Sequence, residues 1–427
     1  MAGTAISSDV LVRELADRVG RGVVRSGGAA DAVAAIVPNL IAEPTTPDSV
    51  REILRWAAEG RRTVVVRGGG TQLGRGALPG AIDLLLSTTA MNVVEAHRHG
   101  DLTATVQAGA TISKTNAVLA EHRQWLPLDP PQADRATIGG VVATNESGPR
   151  RQRHGAPRDL IIGMTLVRPD GVLAKSGGIV VKNVAGYDLA RLLTGSFGCL
   201  GVVLNATFKL APRAEASRTV KVKCPTLDVY GAYTAELIAH GSTPTALELA
   251  IPSERMLVRF ESVESVVVRQ ADQAVALALR HGATATVLRD DDETDVWQTH
   301  EALVFDHEGT VVKLVIMPSD LSATLAWLNT AARARSLEYK LIGRAGLGVL
   351  YFRLTGEVSK QAGFILALRE RLPVGRGSAV IQRADAELKT LVDVWGSVGD
   401  GFRVMQEVKR RFDPTASLNP SLGPGGL

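Results

Sequence analysis

A run of glycines after an apolar segment constrains this 427-residue chain most strongly. Residues Val64 to Gly76 read VVVRGGGTQLGRG, with three β-branched residues, an arginine and then five glycines within nine positions. A segment that is apolar on both faces is typical of a buried strand. Glycine permits positive φ and lets backbone N–H groups approach an anion closely. The segment predicts a strand followed by an anion-binding loop, although a glycine-rich turn without a ligand explains this one segment equally well.

A second and a third glycine cluster favour a ligand. The segment ATIGGVVATNESG carries Thr137, Gly139 and Gly140, and GSFGCLGVV approaches a strand at Val202 and Val203. The first cluster fits neither the G-x-G-x-x-G dinucleotide fingerprint nor a P-loop. A single phosphate does not need three separate close approaches of backbone, whereas a flavin dinucleotide does. The three clusters together therefore predict a site for FAD.

Helix and strand signals surround these clusters. Asp9 to Arg21 favours a short helix, and Thr46 with Pro47 is a typical start of another. Thr63 to Val66 predicts a buried strand, and the turn RPDG predicts a hairpin. After Pro212 the pattern predicts an antiparallel sheet with helices on one face. The acidic residues 290–293 are interpreted as a solvated turn, and the sequence shows no internal repeat.

Composition excludes several classes of protein. The net charge of +4 is scattered along the chain, so no nucleic-acid partner is indicated. The two cysteines, Cys199 and Cys224, allow neither a disulfide framework nor a four-thiolate metal or iron–sulfur site. We expect no metal site. No apolar run is long enough to span a bilayer. The chain is expected to be cytoplasmic, with any membrane association made through partner subunits.

The glycine clusters resemble the FAD-binding domain of the vanillyl-alcohol oxidase/p-cresol methylhydroxylase (PCMH) superfamily over Pro38 to Pro212. Within that superfamily, VVKNVAGYDLARLLTGS, ALELAIPSERMLVRFES and KRRFDPTASLNP are similar to the smaller flavin-binding subunits of bacterial glycolate oxidases. The resemblance implies an α+β fold, a two-subdomain PCMH-type FAD-binding domain followed by a ferredoxin-like α/β cap domain. The implied boundaries are an N-terminal helical extension (1–37), the FAD-binding domain (38–213), the cap or substrate domain (214–400) and a C-terminal tail that returns to the FAD domain (401–427).

The resemblance also implies the residues that contact the cofactor. They come from the three glycine clusters and one following turn: Arg67, Gly68, Gly69, Gly70, Thr71, Gln72, Thr137, Gly139, Gly140, Thr144, Asn145, Gly148, Gly155, Val202 and Val203. The first loop lacks the histidine or cysteine that carries covalent flavin in some relatives, so FAD is expected to bind non-covalently.

The implied activity is oxidation of a small 2-hydroxy acid, in which flavin accepts a hydride from the α-carbon and a base takes the hydroxyl proton. Because two cysteines cannot hold an iron–sulfur cluster and no haem-attachment motif is present, the reduced flavin would pass its electrons to oxygen, a soluble acceptor or another subunit. The resemblance implies a second flavoprotein subunit and an iron–sulfur subunit.

The catalytic base is not identified by the sequence. None of the eight histidines lies in the H-G-D-G-N-x-H-type motif of the larger subunit, and His300 and His307 are interpreted as exposed polar residues. The candidates are Lys182, Asn183, Tyr187 and Asp188 in one turn, which could face the flavin or a partner, and Arg344 and Arg353 in the cap, which could bind the substrate carboxylate. A structural role explains each of them equally well. His154 is a candidate neighbour of the flavin, although a structural role is favoured.

Two alternatives stay open at this point. The chain could be a non-catalytic flavin-binding assembly or electron-relay subunit, which the missing histidine motif favours. It could also be a stand-alone FAD-dependent oxidase of a larger alcohol or sugar.

Overall fold

The computed structural model describes residues 8–179, 186–373 and 375–427. They divide into two compact units. Unit 1 takes in the described residues of 1–147, 156–213 and 397–427, and unit 2 takes in those of 148–155 and 214–396. Thus a short segment after the second glycine cluster groups with unit 2, and the end of the chain groups with unit 1.

The strands of the described residues are, in chain order, β1 Val24–Ser26, β2 Leu40–Ala42, β3 Val64–Arg67, β4 Leu84–Ser87, β5 Val94–Arg98, β6 Thr103–Gln107, β7 Gln124–Trp125, β8 Ile161–Val167, β9 Leu173–Gly177, β10 Val202–Lys209, β11 Ala211–Pro212, β12 Ala216–Lys223, β13 Ala246–Ile251, β14 Arg255–Ser262, β15 Thr284–Leu288, β16 Thr310–Val315, β17 Glu338–Arg344, β18 Val349–Thr355 and β19 Ser378–Arg383. The α-helices are α1 Ser8–Val19, α2 Pro47–Glu59, α3 Ile112–Leu119, α4 Ile138–Thr144, α5 Arg151–His154, α6 Pro157–Leu160, α7 Leu189–Leu193, α8 Leu227–Ala239, α9 Glu264–Arg280, α10 Asp290–Phe305, α11 Leu321–Ala334, α12 Val358–Arg371, α13 Ala386–Leu391 and α14 Phe402–Phe412.

A four-stranded sheet in the order β1-β2-β4-β3 forms the first subdomain of unit 1. Strand β4 pairs in parallel with both β2 and β3. Val64 and Val65 of β3 are buried, as the sequence predicted. Helix α2 begins as expected, because the Thr46 hydroxyl accepts a hydrogen bond from the Ser49 backbone N–H at 3.2 Å. Its apolar face buries Val50 and Ile53 completely in the core that also contains Leu84.

An antiparallel sheet in the order β5-β6-β10-β8-β9 forms the second subdomain. Strands β8 and β9 make the predicted hairpin, with the Gly171 N–H donating to the Arg168 carbonyl at 2.9 Å and Gly171 at φ +77°. The two sheets confirm the predicted two-subdomain organisation of the FAD-binding region.

The end of the chain extends the first sheet. Leu418 forms a parallel bridge with Val64. The Val64 N–H donates to the Ser417 carbonyl, and the Asn419 N–H donates to the Val64 carbonyl, both at 2.8 Å. These bonds give β3 a neighbour on the side away from β4 and bring the tail to the strand that leads into the first glycines.

Unit 2 contains an eight-stranded antiparallel sheet in the order β15-β12-β14-β13-β17-β18-β16-β19. Strands β12 to β15 with α8 and α9 follow a β-α-β-β-α-β order, and so do β16 to β19 with α11 and α12. Each half is ferredoxin-like, and the halves join through β13 and β17. The sequence shows no internal repeat, although the two halves share this order of elements. Two halves can share a strand order without sharing a sequence, because many apolar side chains satisfy one core pattern.

Helices cover both faces of this sheet, so the expectation of one covered face is corrected. Leu350 packs in the large core with α8, α9, α11 and α12, whereas the next residue, Tyr351, packs in a smaller core with Val304 of α10. Successive residues of a strand point to opposite faces. Helix α10 therefore lies on the face opposite the other helices.

Two local interpretations in unit 2 were wrong, and α10 explains both. Residues 290–293 begin this helix instead of forming a turn, because carboxylates are stabilised beside the N–H groups of a first helical turn. Residues 290–292 are exposed to solvent as expected. Glu293 is buried and accepts hydrogen bonds from the hydroxyls of Ser217 and Thr219. His300 is 1% exposed, and its Nε2 lies 3.0 Å from a carboxylate oxygen of Glu248. His307 is exposed as expected.

Candidate functional site

The first two glycine clusters of unit 1 pack directly against each other. We call residues 67–76 the first glycine loop and residues 135–147 the second. A Cβ on Gly68 would lie 2.1 Å from the Thr137 hydroxyl oxygen, and a Cβ on Gly69 would lie 1.7 Å from the Arg135 carbonyl oxygen. Side chains at these two positions have no room, so glycine is required for the contact between the loops as well as for access by a ligand.

The packed loops form one wall of a cleft in unit 1. The cleft measures about 790 Å³, including the open space at its mouth. Residues from both glycine loops, from the start of β10 and from the C-terminal tail line it. A ligand as long as a dinucleotide would therefore lie along an open cleft and not inside a closed cavity.

Most of the residues singled out in the sequence line this cleft: Gly68, Gly69, Gly70, Thr71, Gln72, Thr137, Gly139, Gly140, Thr144, Val202 and Val203. Sequence reasoning missed Val66, Leu73, Arg75, Thr88, Ala108, Ala143, Phe197, Gly198, Gly201, Asn419 and Leu422. Several of these are immediate neighbours of predicted residues and could have been included by extending each motif. Asn419 and Leu422 carry no such signal, because they are distant in sequence.

Arg67, one of the expected cofactor contacts, does not line the cleft. Its Nη2 lies 3.3 Å from the carboxylate of Asp31, which also receives two hydrogen bonds from Arg25. These hydrogen bonds, those from Arg25 above all, hold the pKa of Asp31 well below its usual range. The carboxylate is therefore ionised, and an ionised partner keeps the Arg67 guanidinium on its side of β3.

Several predicted polar side chains have partners within unit 1. Thr137 caps α4 by accepting from the Gly140 N–H at 3.4 Å, and the Thr144 hydroxyl donates to the Gly140 carbonyl at 2.8 Å. Asn145 does not line the cleft, because it ends α4 at φ +50° and its amide oxygen accepts from the Arg158 N–H. Side chains of the second loop thus shape the loop, and its glycines expose backbone to the cleft.

The C-terminal tail contributes a wall of the cleft through Asn419. The Asn419 amide donates to the Phe197 carbonyl at 2.7 Å and accepts from the Val66 N–H at 2.7 Å. One side chain therefore joins the end of β3 to the third glycine cluster. Gly198, at φ +70°, allows this contact, since a Cβ there would lie 2.5 Å from the same amide.

A buried ion pair links the two glycine loops. Arg75 of the first loop lines the cleft and is 6% exposed, and its guanidinium donates to the carboxylate of Glu146 in the second loop. Glu146 is 2% exposed and does not line the cleft. Arg75 is therefore the member of the pair that lines the cleft.

The catalytic candidates do not gather around this cleft in unit 1. Tyr187 is 91% exposed and does not line the cleft, since it lies in a turn just before α7, whose first turn Asp188 caps. Lys182 and Asn183 lie outside the described residues.

The remaining predicted residues belong to unit 2. Arg344 is 4% exposed, and its Nε donates to the Gly148 carbonyl at 2.9 Å and lies 3.6 Å from the Glu248 carboxylate. Arg353 is buried and donates to the Glu308 carbonyl at 3.1 Å. Gly155 ends α5 at φ +82°. Burial lowers the pKa of His154 below its usual value, which favours the neutral ring.

Comparison with known proteins defines the class. The FAD binding domain family matches residues 38–177, which therefore form an FAD-binding domain of the PCMH type. This match and the similarity to curated flavin-dependent enzymes place the chain among FAD-dependent oxidoreductases.

Two of the relatives of this chain are glycolate oxidase subunits. The chain is 27% identical to the glycolate oxidase subunit GlcD of Bacillus subtilis (strain 168), over 90% of this chain and 88% of that one. It is 41% identical to the glycolate oxidase subunit GlcE of Escherichia coli (strain K12), over 28% of this chain and 35% of that one. The expected similarity to glycolate oxidase subunits is confirmed.

A solved structure with the same fold is the 4-ethylphenol oxidase from Gulosibacter chungangensis. Its TM-score is 0.77 at 15% identity, over 99% of each chain. No helix among the described residues combines the length and apolar character needed to cross a bilayer.

Proposed function

We propose that this chain is the flavin-binding subunit of a 2-hydroxy-acid dehydrogenase complex of the glycolate-oxidising type, with FAD held non-covalently. The observation that carries the proposal is a cleft of unit 1 that both glycine loops, the start of β10 and the tail line together. The similarity to glycolate oxidase subunits supports the choice of substrate class.

The cleft residues fit a flavin dinucleotide. Backbone N–H groups of the glycine loops and the side chains of Thr71 and Gln72 offer donors for phosphate and ribityl oxygens. Apolar residues such as Val202, Val203 and Leu422 offer surface to a planar ring. Bound FAD would supply the acceptor for a hydride from the α-carbon of the substrate. Gly148 and Gly155 remain proposed contacts carried by the family resemblance.

Non-covalent attachment is supported by the composition of the cleft. Among its lining residues in the described part of the chain there is no histidine, cysteine or tyrosine. Precipitation of the yellow protein with trichloroacetic acid is therefore expected to leave all of the flavin in the supernatant. Colour retained in the pellet would contradict this part of the proposal.

The route for electrons supports a partner. Cys199 and Cys224 are both buried, and two thiols are too few to ligate an iron–sulfur cluster. Burial raises the pKa of the Cys199 thiol to about 11 and that of Cys224 to about 12, so neither is a thiolate near neutral pH. We place the acceptor in a second flavoprotein subunit and an iron–sulfur subunit, in a cytoplasmic complex that meets the membrane only through its partners.

Anaerobic bleaching of the flavin tests the function. Addition of glycolate or lactate to the chain, with its partner subunits co-expressed, is expected to bleach the visible flavin band. Acetate, which has the carboxylate but no hydroxyl to oxidise, is the matched control and is expected to leave the band unchanged. A complex that contains FAD and is not bleached by any 2-hydroxy acid would contradict the proposal.

A relay role without turnover is the second candidate, and the contacts of Arg344 favour it. The guanidinium proposed to clamp a substrate carboxylate is already engaged by Gly148 and Glu248 within unit 2. A relay predicts that the isolated chain binds FAD and stays yellow with every hydroxy acid, whereas a dithionite-reduced chain passes electrons to the partner. Bleaching of the isolated chain by glycolate would exclude this role.

A further inference from the structure

Arg75 is the one residue with a formal charge among the described residues that line the cleft. We propose that its guanidinium donates hydrogen bonds to an anionic oxygen of the bound dinucleotide, and that Glu146 fixes it there. This inference rests on the proposed function, because it takes the ligand of the cleft to be FAD.

An unused donor on Arg75 supports a ligand contact. The Nε of Arg75 is buried and has no hydrogen-bond partner among the described residues, while a terminal nitrogen donates to Glu146. A buried donor without a partner is costly in free energy. An anionic ligand oxygen beside the guanidinium would remove this cost and make a charge-assisted hydrogen bond.

The position of Glu146 makes it an anchor and not a competing ligand. It is buried, it stays out of the cleft lining, and its backbone N–H donates to the Val141 carbonyl at the end of α4. Arg75 therefore lies on the cleft side of the pair. A carboxylate placed on the far side holds the orientation of the guanidinium and leaves the side that faces the cleft for the ligand.

The sequence predicted Arg67 as a cofactor contact, whereas Arg75 is the arginine of the first glycine loop that lines the cleft. The Arg67 guanidinium pairs with Asp31 and lies outside the cleft lining, although both arginines belong to the first glycine loop. This difference offers a matched control, since Arg67→Met removes the same charge from the same loop without removing a group that lines the cleft.

A purely structural role for the ion pair makes a different prediction. If Arg75 only joined the two loops, neutralising both partners would restore the site, because a buried ion pair replaced by apolar residues of similar size is often tolerated. The double variant Arg75→Met with Glu146→Met therefore separates the two roles. This double variant leaves no buried carboxylate without a partner. It also removes the guanidinium that is proposed to bind an anionic oxygen of the dinucleotide.

The test is a titration of each apoprotein with FAD, followed by the quenching of flavin fluorescence, with riboflavin as the probe that lacks phosphate. Arg75→Met and the double variant are expected to raise the Kd for FAD by about ten- to a hundredfold, as for a lost hydrogen bond between charged groups. Both are expected to leave the Kd for riboflavin unchanged. Arg67→Met is expected to bind FAD like the wild type.

The outcomes separate this inference from the function on which it rests. A double variant that binds FAD as tightly as the wild type would overturn the inference alone. A wild-type chain that binds no FAD would overturn the proposed function and the inference with it. Should Arg75→Met fail to fold, Arg75→Lys carries the test, because lysine keeps the charge and loses the planar set of donors. It is expected to weaken FAD binding and not riboflavin binding, and an unchanged Kd for FAD would count against the inference.

Discussion

Replacement of Gly69 by alanine is expected to weaken FAD binding by about ten- to a hundredfold, the equivalent of the 1–3 kcal/mol that overpacking typically costs. A Cβ at this position would lie 1.7 Å from the Arg135 carbonyl oxygen. That oxygen belongs to the backbone and has no rotamer to change, so one of the two glycine loops must move. Both loops line the cleft, and the movement therefore displaces groups that face the cofactor.

Gly74 provides the matched control in the same loop. A Cβ on Gly74 would meet no atom within 4 Å, and this residue does not line the cleft. Gly74→Ala is therefore expected to bind FAD like the wild type and to keep its melting temperature. The Kd for FAD and the melting temperature of both variants check the argument. A Gly69→Ala variant that matches Gly74→Ala in both measurements would show that the loops do not meet as described.

Replacement of Lys409 by methionine is expected to lower the free energy of unfolding by about 3–5 kcal/mol, the usual cost of breaking a buried ion pair. The Lys409 ammonium donates to the Asp413 carboxylate at 2.7 Å and to the carbonyls of Cys199 and Leu418 at 2.9 Å. It thus joins α14, the third glycine cluster and the tail segment that pairs with β3. Without it, a buried carboxylate and two buried carbonyls lose a donor.

The control for Lys409 is its neighbour on α14, Arg410. Arg410 pairs with Glu407 on the exposed side of the helix, so Arg410→Met is expected to change the free energy of unfolding by no more than about 0.5 kcal/mol. Urea denaturation of both variants measures the difference. Because Asn419 follows Leu418, Lys409→Met is also expected to weaken FAD binding. Equal stability of the two variants would show that the buried pair is dispensable.

The same pair predicts a dependence on pH. Burial by itself would raise the pKa of Asp413, but the Lys409 ammonium and the N–H groups of Leu418 and Ser417 outweigh burial and lower it. A lowered pKa stabilises the fold above the unfolded value of about 3.9, and the contribution is lost as the pH falls through the folded value. The stability difference between the wild type and Asp413→Asn is therefore expected to be constant near neutral pH and to shrink below about pH 4.

Local sequence signals predicted the elements that depend on near neighbours. Thr46 caps α2 through a residue three positions away, and Gly171 closes a hairpin between adjacent strands. The glycine clusters identified both loops and the class of ligand, because glycine spacing is a property of the backbone itself. Such local signals can be read from one sequence, since the residues that interact lie within a few positions of one another along the chain.

Signals that depend on distant partners were misread. His300 looked exposed because Glu248, the carboxylate that accompanies it in the core, lies on another element. The acidic start of α10 looked like a turn because its buried acceptor role depends on Ser217 and Thr219 of β12. In both cases the type of side chain alone predicts exposure to water, and only its hydrogen-bonding partner explains why it is buried.

The sequence by itself determined that a buried strand ends in a glycine loop and that further glycine clusters follow it. These clusters are enough to predict that the chain belongs to the class of flavin-binding proteins. Only the tertiary structure decided which arginine of the first glycine loop lines the cleft. Arg67 pairs with Asp31 outside the lining, whereas Arg75 pairs with Glu146 and lines the cleft. The tertiary structure also decided that Asn419, 353 positions from Val66, completes the wall. Backbone conformation is set by neighbouring residues, whereas the direction of a charged side chain is set by whichever partner folding brings beside it.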